Sequence, residues 1–285
     1  VLIPRLIMGS LLIAALAALL MADQRCEGAE LAWLPGGRVP PGALLAAACA
    51  VVILPLLSWE LSSLLRAIHG AAPGFASTAA MSISAFIMGV AWAYGWDAVK
   101  TAAAAALLMT LLPALHALLR RDWIEALDGL GYWLLTSLWI GWLPACWIAA
   151  RTEMPAWALA WAVLTVKAGD IGAYFTGRML GRHRLAPWVS PKKSREGLLG
   201  GAVLAALVGA WLAWQLGRPV ALGAAFGALA AFIGMLGDLA ESVLKREAGA
   251  KDSGRLLPGM GGCFDVIDSL LPTAPLALVM LAASH

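Results

Sequence analysis

Charge is scarce in this chain. Asp, Glu, Lys and Arg supply 13% of 285 residues, against 61% hydrophobic ones. So little charge excludes a soluble domain, and no nucleic-acid partner is expected. Cysteine is scarce too: Cys26, Cys49, Cys146 and Cys263 show no CxxC spacing, which argues against a zinc site or a disulfide framework. There is no G-x-S-x-G elbow and no histidine with a placed partner, so a nucleophilic triad is unsupported. No Walker A motif occurs. No period-2 alternation marks a strand, and no internal repeat marks an inverted-repeat transporter. The first apolar run lacks a small-residue cleavage site, so a retained helix is expected there and not a leader peptide.

What the chain has instead is long apolar runs. Nine candidate spans fall at 6–22, 43–59, 76–94, 101–119, 130–150, 154–175, 198–216, 220–240 and 265–283, each near the ~20 residues a bilayer requires. The fold class is therefore all-α, a polytopic helical membrane protein of about nine transmembrane helices. We divide it into N-terminal scaffold helices, 1–150, and a C-terminal catalytic region, 151–285. With the spans alternating in direction, fifteen of the 20 Lys and Arg residues share the side of the N-terminus. The positive-inside rule makes that side cytoplasmic and puts His285 outside. The expected location is the cytoplasmic (inner) membrane. The polar loops after the sixth and eighth spans then share the cytoplasmic face.

The stretch 237–270 concentrates the chemistry. Asp238, Glu241, Ser242 and Lys245 fall at i, i+3, i+4 and i+7, one helix face. Asp265 and Asp268 are again i, i+3. Between them Pro258, Gly259, Gly261 and Gly262 allow a sharp turn and close approach to a ligand. Carboxylates at membrane depth are costly and mark functional sites. The sixth span ends with Lys167, Asp170 and Tyr174 on one face; a self-neutralising Lys167–Asp170 pair is the plainer alternative. Beyond it, Ser190-Pro191-Lys192-Lys193-Ser194 reads as a Pro-broken turn suited to phosphate, through cations, hydroxyls and backbone N–H groups. An ordinary basic loop facing anionic lipid would look similar.

Mg²⁺ is held by one or two carboxylates plus substrate phosphates and water. Asp238 and Asp265 are its expected ligands, with Asp268 as a further one. These three and Lys245 are the expected catalytic residues. Ser190, Lys192, Lys193, Arg246, Lys251, Asp170 and Tyr174 are the expected phosphate-binding residues. Such a set suits phosphoryl or nucleotidyl transfer, where positioning and charge neutralisation dominate.

The last third resembles the phosphatidate cytidylyltransferase (CDP-diacylglycerol synthase) family. Its signature, S-x-x-K-R-x4-K-D-x-G-x2-L-P-G-H-G-G-x-x-D-R-x-D, meets Ser242, Lys245, Arg246, Lys251, Asp252, Gly254, Leu257, Pro258, Gly259, Gly261, Gly262, Asp265 and Asp268. Upstream, Gly237-Asp238-Leu239, Glu241, Asp170, Ala173-Tyr174-Phe175, Gly177-Arg178, Ser190-Pro191-Lys192-Lys193 and Glu196-Gly197 also match. Met260 stands where the family has His and Val266 where it has Arg. The resemblance implies CTP and phosphatidate as substrates, CDP-diacylglycerol and pyrophosphate as products, a second, monovalent cation, and a homodimer. A CTP-dependent polyprenol or phytol kinase and an ion transporter are the competing readings.

Overall fold

The computed structural model describes residues 2–30, 37–70, 74–95, 97 and 131–282. Helix α1 (Leu2–Cys26) is followed by α2 (Ala43–His69), α3 (Phe75–Ala93), α4 (Gly131–Glu153) and α5 (Ala156–Leu180). A two-stranded hairpin, β1 (Arg184–Ala186) and β2 (Ser190–Ser194), leads into α6 (Arg195–Gln215) and α7 (Val220–Glu247). The short α8 (Phe264–Ile267) and then α9 (Leu270–Ala277) complete the described elements.

Six of these helices are long and apolar enough to cross a membrane. Nine were expected, and the three exceptions have separate reasons. The span 101–119 lies outside the described residues, as do His116 and the segment around Arg120 and Arg121. The sixth span forms α5, but Lys167 and Asp170 dilute its apolar character. The ninth is broken, because Pro275 sits inside α9 and a π-turn, Leu278–Ala282, follows it; proline removes a ladder hydrogen bond.

Punctuation in the sequence sets the helix ends. Pro155 and Pro219 cap the starts of α5 and α7. Ser194 caps α6, its Oγ accepting from Gly197 N at 3.1 Å, as N-cap serines do. The hairpin was not expected. Residues 190–194 pair antiparallel with 184–186 instead of forming a simple turn. Pro191 fits because a two-stranded sheet has only edge strands.

Leu54, Leu57, Leu61 and Leu65 line the buried face of α2 and meet Ile140, Ile148, Phe226 and Phe264 in one core. Trp139 of α4 packs edge-on against Phe264, centroids 5.2 Å apart, which ties α4 to the start of α8. Helices α5, α6 and α7 approach through small residues: Gly172 lies against Gly200 and Gly201, and Gly209 against Gly223. Such contacts replace hydrophobic driving force as the glue between helices in lipid. At the start of α2, buried Arg151 of α4 pairs with Asp23 at 3.0 Å and Glu27 at 2.8 Å. Asp23 also accepts from Gly42 N and Leu44 N. One cation thus fastens α1, α2 and α4 together.

Candidate active site

Helix α7 carries the face that the sequence pattern marked. Its last turns place Asp238, Glu241 and Lys245 beside α8, and β2 closes from the other side. Ligand oxygens of Asp238, Glu241 and Asp268 all lie within 4.8 Å of one another. Glu241 and Asp268 are buried and Asp238 is half-buried. Glu241 Oε2 accepts from Lys245 Nζ at 2.6 Å, while the buried Oε1 has no hydrogen-bond partner among the described residues. Burying a carboxylate oxygen without a donor is costly. A divalent cation held by these three carboxylates would satisfy it, so the donor set fits Mg²⁺.

The membership of this cluster differs from expectation at one position. Glu241 stands where Asp265 was expected. Asp265 Oδ2 accepts from Ser253 N and Gly262 N at 2.8 Å and from Ser253 Oγ at 2.9 Å, and Oδ1 takes Lys245 Nζ at 2.5 Å. With four donor contacts in place, Asp265 organises the loop before α8. Gly261 makes that loop possible: its φ of 98° favours glycine, and a Cβ there would run into the Asp265 carboxylate.

The basic side of the site comes from β2. Lys193 Nζ lies 2.7 Å from Asp238 Oδ2, so the hairpin and the carboxylate face do meet. Ser190 is half-buried on the same strand, and Lys192 is exposed beside it. Lys251 is exposed on the loop after α7. Two other expected phosphate ligands point elsewhere. Arg246 donates to Val189 O at 3.3 Å and Ala250 O at 3.0 Å, bracing the hairpin against the end of α7. Tyr174 is exposed and its hydroxyl accepts from Arg178 at 3.1 Å. Asp170 is half-buried and bonded to Lys167 and Ser269.

Lys167 does more than neutralise Asp170. Its Nζ donates to Asp170 at 3.0 Å and to Val266 O and Ser269 Oγ at 2.8 Å. Ser269 N in turn donates to Asp268 Oδ1 at 2.6 Å. The sixth span is therefore wired to the carboxylate cluster through one serine.

Glu60 is the residue that sequence reading missed. It is 1% exposed on the leucine face of α2. Its carboxylate accepts from Cys263 N at 2.7 Å, Phe264 N at 2.8 Å and Ser253 Oγ at 2.9 Å. The available signal was a lone carboxylate inside the run LPLLSWELSSLL, which also reads as a charge at a helix end.

Comparisons with known proteins find relatives of one kind. Phosphatidate cytidylyltransferase of Synechocystis sp. is 49% identical over 119 residues, 40% of each chain. The Mycobacterium bovis protein of that name is 39% identical over 147 residues, 49% of this chain and 47% of its own. The Helicobacter pylori one is 43% identical over 120 residues, 42% of this chain and 45% of its own. The aligned stretches thus span less than half the length of these relatives. The family match is much longer, covering residues 37–284 of 285: the chain belongs to the cytidylyltransferase family.

Proposed function

We propose that this protein transfers CMP from CTP to phosphatidate, giving CDP-diacylglycerol and pyrophosphate for phospholipid synthesis. The observation that carries the proposal is the meeting of three carboxylates, one with an orphaned buried oxygen, with Lys193 from the hairpin. Asp238, Glu241 and Asp268 would hold Mg²⁺, which when bound supplies charge neutralisation for the triphosphate. Lys193, with Lys192, Lys251 and Ser190 around it, would take non-bridging phosphate oxygens. A phosphatidate oxygen attacks the α-phosphorus of CTP in line; that P–O bond forms as the bond to pyrophosphate breaks. A phosphate monoester has a second pKa of roughly 6, so the attacking group is already ionised and no strong general base is required. Lys245 fixes Glu241 and Asp265 relative to each other.

We also assign the site and the N-terminus to the cytoplasmic face of the inner membrane, with the C-terminus outside. The charge bias supports this. Residues 151–285 then form the catalytic region. A monovalent cation and a homodimer belong to the same reading, on resemblance alone.

The test uses purified protein in detergent with Mg²⁺, phosphatidate, and CTP labelled in turn at the α and γ phosphates. Entry of α label into the lipid fraction is the expected result. Entry of γ label alone, with a polyprenol supplied, would make the protein a lipid kinase. Transfer of neither label in detergent, together with ion flux when the same protein is reconstituted into sealed vesicles, would overturn the enzyme reading.

Lys193→Ala is expected to raise KM for CTP or phosphatidate. A hydrogen bond to a charged group contributes about 1.5–3 kcal/mol, hence a shift of roughly tenfold or more. Unchanged KM for both substrates would confine the hairpin to a folding role.

A further inference from the structure

We infer that Glu60 is a positioning residue for cytidylyl transfer, setting the shape of the loop 253–265 and, through it, the orientation of Asp265 and Asp268. The inference rests on the function proposed above. It brings a residue of the N-terminal half into the working of a site that otherwise belongs to the last third of the chain.

The geometry is specific. Glu60 is separated from its partners by 193 to 204 residues. Those partners are two backbone amides and one hydroxyl, all neutral donors. The amides belong to Cys263 and Phe264, immediately before Asp265. Burying a carboxylate among leucines is expensive unless its oxygens are hydrogen-bonded; here the loop supplies the donors.

The loop is also moulded on the carboxylate. A Cβ at Gly254 or Gly262 would run into Glu60. A larger residue at either position therefore requires Glu60 to leave or the loop to move. Ser253 links this anchor to the site itself. Its Oγ lies 2.9 Å from both Glu60 Oε2 and Asp265 Oδ2. One hydroxyl hydrogen serves one of these acceptors at a time, so the two carboxylates share a single donor. A change at Glu60 is thereby felt at Asp265, whose other oxygen holds Lys245. Helix α8 carries the same displacement on to Asp268, which donates its backbone N–H to Phe264 O at 3.0 Å.

The experiment compares Glu60→Gln with Glu60→Asp, alongside wild type, in the α-label assay. Gln keeps the volume but turns an NH₂ group toward converging donors. Asp shortens the arm but keeps both acceptors. Misplacement of about 1 Å can cost roughly 100-fold in rate, so kcat of the Gln variant should fall by about that factor while both KM values stay within about twofold. The Asp variant should retain more activity than the Gln variant. A packing role reverses that order, because Gln fills the space and Asp leaves a hole. Alkylation of Cys263, followed on its peptide by mass spectrometry, should be faster in the Gln variant.

Wild-type kcat in a folded Gln variant, or greater activity in Gln than in Asp, would overturn the inference. Should neither variant accumulate folded, Ser253→Ala removes one of the three contacts. A several-fold fall in kcat at constant KM supports the role, and an unchanged kcat removes it. Failure of wild type to transfer α label would sink the proposed function instead, leaving Cys263 labelling to test the anchor by itself.

Discussion

Lys245→Met is expected to be the most destabilising single change at the site. Lys245 Nζ stands 2.6 Å from Glu241 and 2.5 Å from Asp265. Its side chain is 9% exposed, and those of Glu241 and Asp265 are 0% and 9% exposed. Met keeps the length of the stem, so little cavity forms and the effect isolates the charge. Removing one partner of a buried ion pair costs about 3–5 kcal/mol, because the other charge is left uncompensated. Here two carboxylates lose their cation together, next to Asp238 and Asp268. The measurement is thermal unfolding in detergent, with Glu241→Gln and the double variant beside it. The double variant should recover part of the loss, since it removes an unpaired charge as well as the cation. A Lys245→Met protein as stable as wild type would show that the network contributes nothing to the fold.

Asp268→Asn should separate stability from activity in the opposite sense. Asp268 is 7% exposed and shares its cluster with Asp238 and Glu241. The hydrogen bond its side chain accepts, from Ser269 N to Oδ1, is one that Asn retains. Removing a negative charge from three relieves repulsion among them, so the metal-free variant should melt no lower than wild type. Turnover should fall by at least ~10²–10³-fold, the usual cost of deleting one group that stabilises transition-state charge. A second readout is independent of turnover. Mg²⁺ at 100 times its dissociation constant stabilises a native protein by about 2.7 kcal/mol. Wild type should show that rise in melting temperature, and Asp268→Asn should lose most of it. Retention of both Mg²⁺ stabilisation and turnover would remove Asp268 from the metal site.

Local pattern carried much of this site. Asp238, Glu241 and Lys245 sit on one face because helical period dictates it, and α7 keeps them together. The positions of Asp265 and Asp268 at the start of the last helical segment followed from a glycine-rich turn before an apolar run. Chemistry alone could not divide roles among the acidic residues. Asp265 and Glu241 look equivalent in sequence, both three or four residues from another charge. Only the folded loop directs two backbone amides and a serine at Asp265 and leaves Glu241 with an unpartnered oxygen.

The sequence by itself determined the membrane class, the order of the described helices and the carriers of the carboxylates. Each of these is written in composition or in periods of a few residues, the range over which a helix relates its own side chains. The tertiary structure decided the rest. It folded residues 184–194 into a hairpin that delivers Lys193 to Asp238, turned Arg246 onto the carbonyl oxygen of Val189, wired Lys167 to Ser269, and drove Glu60 into the loop 253–264. These contacts join residues from 45 to more than 200 positions apart, where no periodicity relates one side chain to another and only the packing of helices brings donors to acceptors.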